Sequence, residues 1–469
     1  MDEIEQRLHE LERLGLARRL RLVSGPQGPT VLIDGKPLLL LCSNNYLGLA
    51  DHPRVREAAA EAAMRWGVGA GSSRLVSGTM TIHGRLEEQL ADFERSEACL
   101  LFGSGYLANI GVIGALAGRG DTVLSDELNH ASIIDGCRLS RAQVIVYRHR
   151  DVEHLEWSLR RHGRPDGTAR RVIVTDSVFS MDGDVAPLEQ IAELAEMYGA
   201  RVVVDEAHAT GSLGPGGRGA VAEAGLEDQI DVLVGTLGKA LGAYGAYVCA
   251  SSQIIRYLIN TARTLIYSTA PSPPAIAGAL AALALLRERP HRVQRLRANA
   301  RALRQALAQE GFPVAESEMQ IVPLIVGDEH TAMQLCQEAI ERGVFAQAIR
   351  PPTVPADSSR LRLTATASHT ASELELAGAA LAQAARAIDL EPQMLTPAQP
   401  ERQQTFARHE ERELEYAELH AVAHERPDGG AAAHAQGKPA AGVFDLEREE
   451  AGAPAPFDFE RDVPGVRAA

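Results

Sequence analysis

Polar side chains with catalytic potential follow three apolar runs of the chain. The run "RVVVDEAH" ends in Asp205, with His208 three residues later, and "DVLVGTLGK" ends in Thr236 and Lys239. A third run, "RRVIVTDSVFSMDGD", leads to Ser180. The carboxyl ends of neighbouring parallel strands meet along one edge of a sheet, where α/β proteins bind their ligands. We therefore expect a carboxylate, an imidazole and an amine to lie together there.

The glycine-rich surroundings of Lys239, "GTLGKALGAYGAY", allow more than one interpretation. A nucleotide phosphate loop requires glycine five residues before its Gly-Lys pair and Ser or Thr directly after it. Leu233 and Ala240 occupy those positions, which excludes that loop. A lysine that points into solvent remains possible from this segment alone.

Asp205 and His208 favour a lysine that binds a cofactor. Lysine forms a Schiff base with aldehydes, and pyridoxal phosphate is the common aldehyde cofactor, whose pyridinium nitrogen needs an anionic partner. Asp205 suits that role, and His208 could hydrogen-bond the phenolic oxygen of the ring. The alternative for Asp205 is a helix N-cap after a strand.

Such a cofactor also needs a phosphate cradle. The segment "LLFGSGYLANIGVIGAL" runs from an apolar strand through glycines into a helix, whose N-terminal N–H groups attract anions. Gly105, Tyr106 and the hydroxyl of Thr236 are the candidates for phosphate contacts. In "SDELNHASIIDG", His130 begins another helix and could either cover the cofactor ring or merely cap the helix.

The elements that must position these residues alternate between β-branched runs and helical patterns. "DTVLSD", "AQVIVYR", "RRVIVTDS", "ARVVVDEAH" and "DVLVGTLGK" read as strands, and "PLEQIAELAEMYG" as an amphipathic helix. Continuous apolar strands between helices predict an α/β fold with a mostly parallel sheet covered on both faces. We predict an N-terminal helix and arm (1–50), a large domain (51–286), a smaller α+β domain (287–389) and a tail (390–469).

Net charge, cysteine content and the lack of long apolar segments restrict the class of protein. The 469 residues carry a formal charge of −15, which argues against nucleic acid or an anionic membrane as the main partner. Five scattered cysteines indicate a reduced compartment and neither a disulfide framework nor a zinc site. The charged start lacks the apolar core of a signal peptide, and "AIAGALAALALL" is too short to span a bilayer. We expect a cytoplasmic protein without a bound metal.

The predicted tail carries a large part of the negative charge. Residues 390–469 hold 16 Asp plus Glu against 8 Lys plus Arg, a net charge of −8. Because large aliphatic residues are few there, we expect a mainly disordered segment.

Many motifs in their family order make the chain resemble the α-oxoamine synthases. They are "SNNYLGLADHP", "HASIIDG", "VFSMDGDVAPL", "VVDEAHATGSLGPGGRG", "GTLGKALGAYGAY", "IYSTAPSP" and "AIRPPTVP" with "SRLRLTATASH", and they fall between about residues 15 and 388. This resemblance implies the fold type I architecture of pyridoxal-phosphate enzymes and a homodimer with active sites at the subunit interface.

The resemblance also implies roles for individual residues. Lys239 would be the Schiff-base lysine and proton acceptor, Asp205 the partner of the pyridine nitrogen, His208 the partner of the phenolic oxygen, and His130 the residue stacked on the ring. Cofactor contacts would come from Gly105, Tyr106, Ser180 and Thr236. Contacts to the substrates would come from Arg18, Asn45, His130, Arg350, Thr353 and Arg362, with Arg19 and Arg21 as alternatives to Arg18.

The implied reaction is the decarboxylative condensation of an amino acid with an acyl thioester. The sequences of the motifs "AIRPPTVP" and "NNYLGLADHP" favour L-alanine and a pimeloyl thioester, carried by coenzyme A or a carrier protein, over glycine with acetyl- or succinyl-CoA. A non-catalytic scaffold acting through the acidic tail is the alternative of a different class. Nicotinamide binding is less favoured, because the glycine turn follows a long N-terminal region, but Asp121 and Asp126 lie nearby and leave that alternative open.

Overall fold

A computed structural model describes residues 2–162, 169–315 and 317–397 of the chain. The predicted tail lies outside the described residues from position 398 onward. Among the residues that the structure describes, no helix is both long and apolar enough to cross a membrane.

The centre of the large domain is a seven-stranded sheet in the order β4-β10-β9-β8-β7-β5-β6. Strand β10 runs antiparallel to both of its neighbours, and the pairs among β5 to β9 are parallel. The five runs predicted as strands form β5 to β9, so the predicted sheet is confirmed. The strands are β4 (Ala98–Phe102), β5 (Thr122–Asp126), β6 (Gln143–Tyr147), β7 (Arg171–Asp176), β8 (Arg201–Asp205), β9 (Val232–Thr236) and β10 (Ala246–Ala250).

Both faces of this sheet are covered by helices, which explains the uninterrupted apolar strands. Val202 and Val204 of β8 face one hydrophobic core, whereas Val203 faces another on the opposite side. The helices are α2 (Pro53–Trp66), α3 (Thr81–Glu94), α4 (Gly105–Leu116), α5 (Ala131–Ser140), α6 (Val152–Arg161), α7 (Leu188–Tyr198), α8 (Ala220–Ala224), α9 (Ser252–Thr261), α10 (Arg263–Ile266) and α11 (Pro273–Glu288). The helix predicted from "PLEQIAELAEMYG" is α7, and Gly199 ends it at a φ of 62°.

The C-terminal region and the N-terminal arm share a third core. In it, Val31 and Leu38 of the arm pack with Leu303, Val344 and Leu363. The elements are α1 (Glu3–Arg13), β1 (Val23–Ser24), β2 (Thr30–Ile33), β3 (Lys36–Leu40), α12 (His291–Gln309), β11 (Ile321–Gly327), α13 (Glu329–Glu341), β12 (Val344–Phe345), β13 (Ala348–Ile349), β14 (Ser359–Thr364) and α14 (Ala371–Arg386).

Sheet pairing joins the arm to this region as well. Strand β12 pairs in parallel with β3 of the arm, while β14 lies between β11 and β13. Packing continues past position 389, because Leu395 is buried in the same core and Thr396 bridges to Ile325. The first residues of the predicted tail therefore belong to the folded region.

Candidate active site

Three parallel strands deliver the predicted residues to one edge of the central sheet. Asp176 at the end of β7 is the register partner of Asp205 at the end of β8, and both are buried. Strand β9 ends at Thr236, three residues before Lys239. The predicted meeting of an amine with carboxylates follows from this register.

Lys239 lies in a tight loop that needs its glycines. A Cβ on Gly242, whose φ is 60°, would stand 2.4 Å from the backbone nitrogen of Ala50. Burial lowers the pKa of Lys239 to about 8, although Asp205 and Asp176 oppose this shift by their negative charge. About a tenth of the amine is therefore neutral at pH 7, far more than for an ordinary lysine, and the neutral form is the one that acts as nucleophile or base.

Asp205 is held by two hydrogen bonds. Its Oδ2 accepts from Nδ2 of Asn109 at 2.6 Å, and its Oδ1 accepts from the backbone N–H of Ala207 at 2.8 Å. Turns rather than a helix follow Asp205, so the N-cap interpretation of this residue is wrong. Burial, followed by repulsion from Asp205, raises the pKa of the neighbouring Asp176 well above its usual range.

His130 caps helix α5 and also faces the site. Its Nδ1 accepts from the backbone N–H of Ser132 and lies 2.7 Å from Oγ of that serine. Asn109 donates to the same Oγ at 2.8 Å, which links His130 to Asp205 through two polar side chains. Desolvation and the charge of Lys239 lower the pKa of His130 against the attraction of Asp205.

His208 is buried next to Tyr46. Its Nδ1 lies 2.7 Å from the Tyr46 hydroxyl. Burial, together with the charges of Lys239 and Arg362, lowers the pKa of His208 well below its usual range. The imidazole is therefore neutral near pH 7.

Arg362, on β14, is a buried guanidinium that meets only neutral oxygens among the described residues. It donates to the carbonyl of Ser180, to Oδ1 of Asn44 at 3.2 Å and to the hydroxyl of Tyr46 at 3.2 Å. A buried cation without an anionic partner is costly. This arrangement is suited to a substrate carboxylate.

Asn44 rather than Asn45 hydrogen-bonds Arg362, and the contact of Asn45 with the substrate stays a prediction. Asn45 instead accepts from the N–H groups of Leu49 and Ala50 at 3.0 and 3.1 Å and donates to Gln27 at 3.0 Å. The chain turns here, because the N–H of Tyr46 donates to the Asn44 carbonyl and that of Gly48 to the Asn45 carbonyl, and of the two asparagine side chains it is Asn44 that bonds Arg362.

Arg18 and Arg350 connect the arm to the 350–353 segment. Arg350 donates to the carbonyls of Gly15 and Ala17, and Arg18 donates to that of Pro351 at 3.1 Å. Thr353 is exposed beside them. Among the described residues, neither arginine bonds to the group around Lys239, so their substrate roles remain predictions.

The remaining predicted cofactor contacts lie at strand and helix ends. Gly105 and Tyr106 occupy the first turn of α4, whose N–H groups have no partners within the helix. A Cβ on Gly105 would meet no atom within 4 Å, which indicates open space in front of that turn. The Thr236 hydroxyl donates to Gly245, and Ser180 is half-buried.

Comparisons with known proteins identify the family of the chain. The model of the aminotransferase class I and II family matches residues 36–381. An 8-amino-7-oxononanoate synthase of Geobacter sulfurreducens is 50% identical over 385 residues, which cover 82% of this chain and 98% of that protein. One from Anaeromyxobacter dehalogenans is 50% identical over 382 residues, covering 81% and 95% of the two chains.

The chain belongs to the 8-amino-7-oxononanoate synthases of the class I and II aminotransferase family. The predicted α-oxoamine synthase relationship and the predicted enzyme class are thereby confirmed.

Solved structures of this family confirm the predicted fold type I architecture. A serine palmitoyltransferase from S. paucimobilis, solved with PLP and myriocin bound, has a TM-score of 0.78 at 33% identity, covering 83% of this chain and 98% of that one. An 8-amino-7-oxononanoate synthase from Francisella tularensis has a TM-score of 0.64 at 26% identity, covering 75% and 99%.

The structure adds polar residues that sequence reasoning missed. Asn109 and Ser132 connect His130 with Asp205, while Asn44 and Tyr46 surround Arg362. A signal for Asn109 was present, because it is the one amide in the otherwise apolar helix "GYLANIGVIGAL".

Proposed function

We propose that the chain condenses L-alanine with a pimeloyl thioester, with loss of carbon dioxide, to give 8-amino-7-oxononanoate for biotin biosynthesis. The observation that carries this proposal is that one site contains Lys239, an amine of lowered pKa, and Arg362, a buried guanidinium that lacks an anionic partner among the described residues. Homologues of the same name at 50% identity support the choice of substrates.

The residues present fit pyridoxal phosphate as the cofactor. Lys239 would attach it covalently, and the buried Asp205 carboxylate would pair with its ring nitrogen. The first turn of α4, with the open space in front of Gly105, would take its phosphate. When bound, this cofactor acts as an electron sink that stabilises negative charge on the α-carbon of an amino acid.

The side chains of this chain perform the remaining work. Arg362 binds and orients the alanine carboxylate, with Asn44 and Tyr46 fixing the guanidinium plane. Lys239 accepts the α-proton on Nζ, which its lowered pKa makes possible near neutral pH. The neutral His208 hydrogen-bonds the cofactor oxygen without adding a positive charge.

A substrate panel tests the proposal. We expect turnover with L-alanine and pimeloyl thioester and little with glycine plus acetyl- or succinyl-CoA. Faster turnover of the glycine pairs would instead assign the activity of a glycine C-acetyltransferase or a 5-aminolevulinate synthase. Running pimeloyl-CoA beside pimeloyl-carrier protein identifies the acyl carrier.

The assembly and the tail complete the proposal. We expect a homodimer, as the resemblance implies, and sedimentation of the loaded enzyme would test it. The cytoplasmic location is expected from the charged start, which lacks the apolar core of a signal peptide. The scaffold alternative is tested by removing residues 398–469. Unchanged turnover together with the loss of a bound partner would assign the segment to recruitment, whereas lost turnover would make it part of the enzyme.

A further inference from the structure

His149 lies between two carboxylates outside the group around Lys239. Its Nδ1 is 2.8 Å from Oδ1 of Asp126, and its Nε2 is 2.8 Å from Oδ2 of Asp184. A neutral imidazole has one N–H and would turn a lone pair toward one of these anions. Two carboxylates, one at each nitrogen, therefore favour the doubly protonated ring.

The other groups around His149 are consistent with this charge. Phe179 meets the ring edge-on, with 4.3 Å between ring centroids. Arg150 contacts Asp184, and Glu127 accepts from the His149 backbone. Burial opposes the charge, but the bonds to Asp126 and Asp184 outweigh it and raise the pKa of His149 to about 10.

Asp126 begins the segment that carries His130. It ends strand β5, and its carboxylate also accepts from the N–H groups of Leu128 and Arg150. Three residues later, Asn129 donates to the carbonyl of Val174 and accepts from the N–H of Asp176. The backbone N–H of His130 donates to Asp176 at 2.7 Å, so Asp126 and Asp176 hold the two ends of this segment.

Asp184 belongs to a tight hairpin that carries Ser180. Val178 and Val185 pair across it, and its turn requires Gly183, where a Cβ would stand 2.7 Å from the carbonyl of Ile321. The Ser180 carbonyl accepts from Arg362. The hairpin therefore transmits the position of Asp184 to the candidate substrate arginine.

We propose that His149 is a positioning residue, a cationic clamp that fixes the segment carrying His130 against the hairpin carrying Ser180. It lies outside the group around Lys239 and acts through the two aspartates. The inference rests on the proposed function for its kinetic consequences, but not for its effect on cofactor binding.

The test compares His149→Gln, which removes the charge, with His149→Lys, which keeps a cation. For the glutamine variant we expect kcat to fall about 10- to 100-fold, since displacements near 1 Å have effects of that size. We also expect a higher KM for the amino acid and about tenfold weaker binding of pyridoxal phosphate, followed by its absorbance. The lysine variant should recover part of each loss.

Arg170→Gln is the matched control. It breaks the ion pair with Asp121 at the opposite end of β5, where Arg170 NH2 lies 2.7 Å from the carboxylate. This variant should lower the unfolding temperature without changing cofactor affinity or KM. If His149→Gln behaved the same way, His149 would be merely structural and the proposal would be wrong.

Histidine nitrogen NMR of the wild-type holoenzyme gives an answer even if the variants do not fold. We expect one histidine to keep both N–H protons at pH 8, and a spectrum with none in that state would overturn the proposal. The cofactor titration and the spectrum use neither alanine nor thioester. A wild-type enzyme that failed to condense them would therefore contradict the proposed function and leave the clamp to be decided by these two measurements.

Discussion

Asn109 donates a hydrogen bond of 2.6 Å to the carboxylate of Asp205 across 96 residues of sequence. The same amide nitrogen donates to Ser132, which contacts His130. One helical side chain thus connects two residues that are predicted to contact the cofactor ring, Asp205 at its nitrogen and His130 on its face.

Replacing Asn109 by leucine should therefore weaken cofactor binding. The variant keeps the side-chain volume but leaves Oδ2 of Asp205 without this donor, and we expect about tenfold weaker binding of pyridoxal phosphate, equivalent to ~1.4 kcal/mol. Absorbance titration measures it. Asn260→Ala, an exposed asparagine on α9 that bonds its own helix, is the control. Unaltered affinity in the Asn109 variant would contradict the assigned role.

Alanine variants of Asn44 and Asn45 should differ in which property they change, substrate binding or the stability of the fold. Asn44→Ala removes a partner of Arg362, so we expect KM for the amino acid to rise with little change in the free energy of unfolding. Asn45→Ala leaves two backbone N–H groups unpaired and should cost about 1–2 kcal/mol of unfolding free energy, with little change in KM. Steady-state kinetics and urea unfolding of both variants check this. A raised KM in Asn45→Ala and lost stability in Asn44→Ala would show that Asn45, and not Asn44, is the substrate residue.

The lowered pKa of Lys239 should appear in the uptake of cofactor. With a pKa of about 8, about a quarter of the amine is neutral at pH 7.5, against about 0.1% for an ordinary lysine. We expect the uptake rate of pyridoxal phosphate by cofactor-free protein to rise with pH and level off above about pH 8.5. Asp205→Asn should move the midpoint to lower pH, because it removes a charge that favours the ammonium form. A rate that still climbed steeply above pH 9.5 would argue against the shift.

The His149 clamp should make stability depend on pH in a defined direction. The folded pKa of about 10 lies above the value of about 6.5 in an unfolded chain, so the clamp stabilises fully below pH 6.5 and is lost as pH rises through 10. Between these limits the unfolding free energy of the cofactor-free protein should fall by on the order of 4 kcal/mol more than that of His149→Gln. Parallel pH curves for the two proteins would contradict this prediction.

Strand pattern and motif order allowed much of this molecule to be predicted. Asp205, Thr236 and Lys239 meet because they end parallel strands, which the apolar runs already indicate. The choice between Asn44 and Asn45 could not be predicted, since it depends on how the chain turns between these residues and Gly48. The clamp at His149 could not be predicted from the sequence either, because its partners Asp126 and Asp184 lie 23 and 35 residues away.

The chain contains three lysines, which makes covalent attachment easy to locate. Lys36 is exposed and pairs with Glu341, and Lys438 lies outside the described residues. Lys36→Ala is thus a matched control for Lys239→Ala.

The most direct test follows the carboxyl carbon of the amino acid. The loaded enzyme is given L-alanine labelled with ¹³C at the carboxyl group, together with pimeloyl thioester, and both products are measured by mass spectrometry. We expect labelled carbon dioxide and unlabelled 8-amino-7-oxononanoate from the wild type and from Lys36→Ala, and neither product from Lys239→Ala. Label retained in the condensed product, or undiminished turnover by Lys239→Ala, would contradict the account.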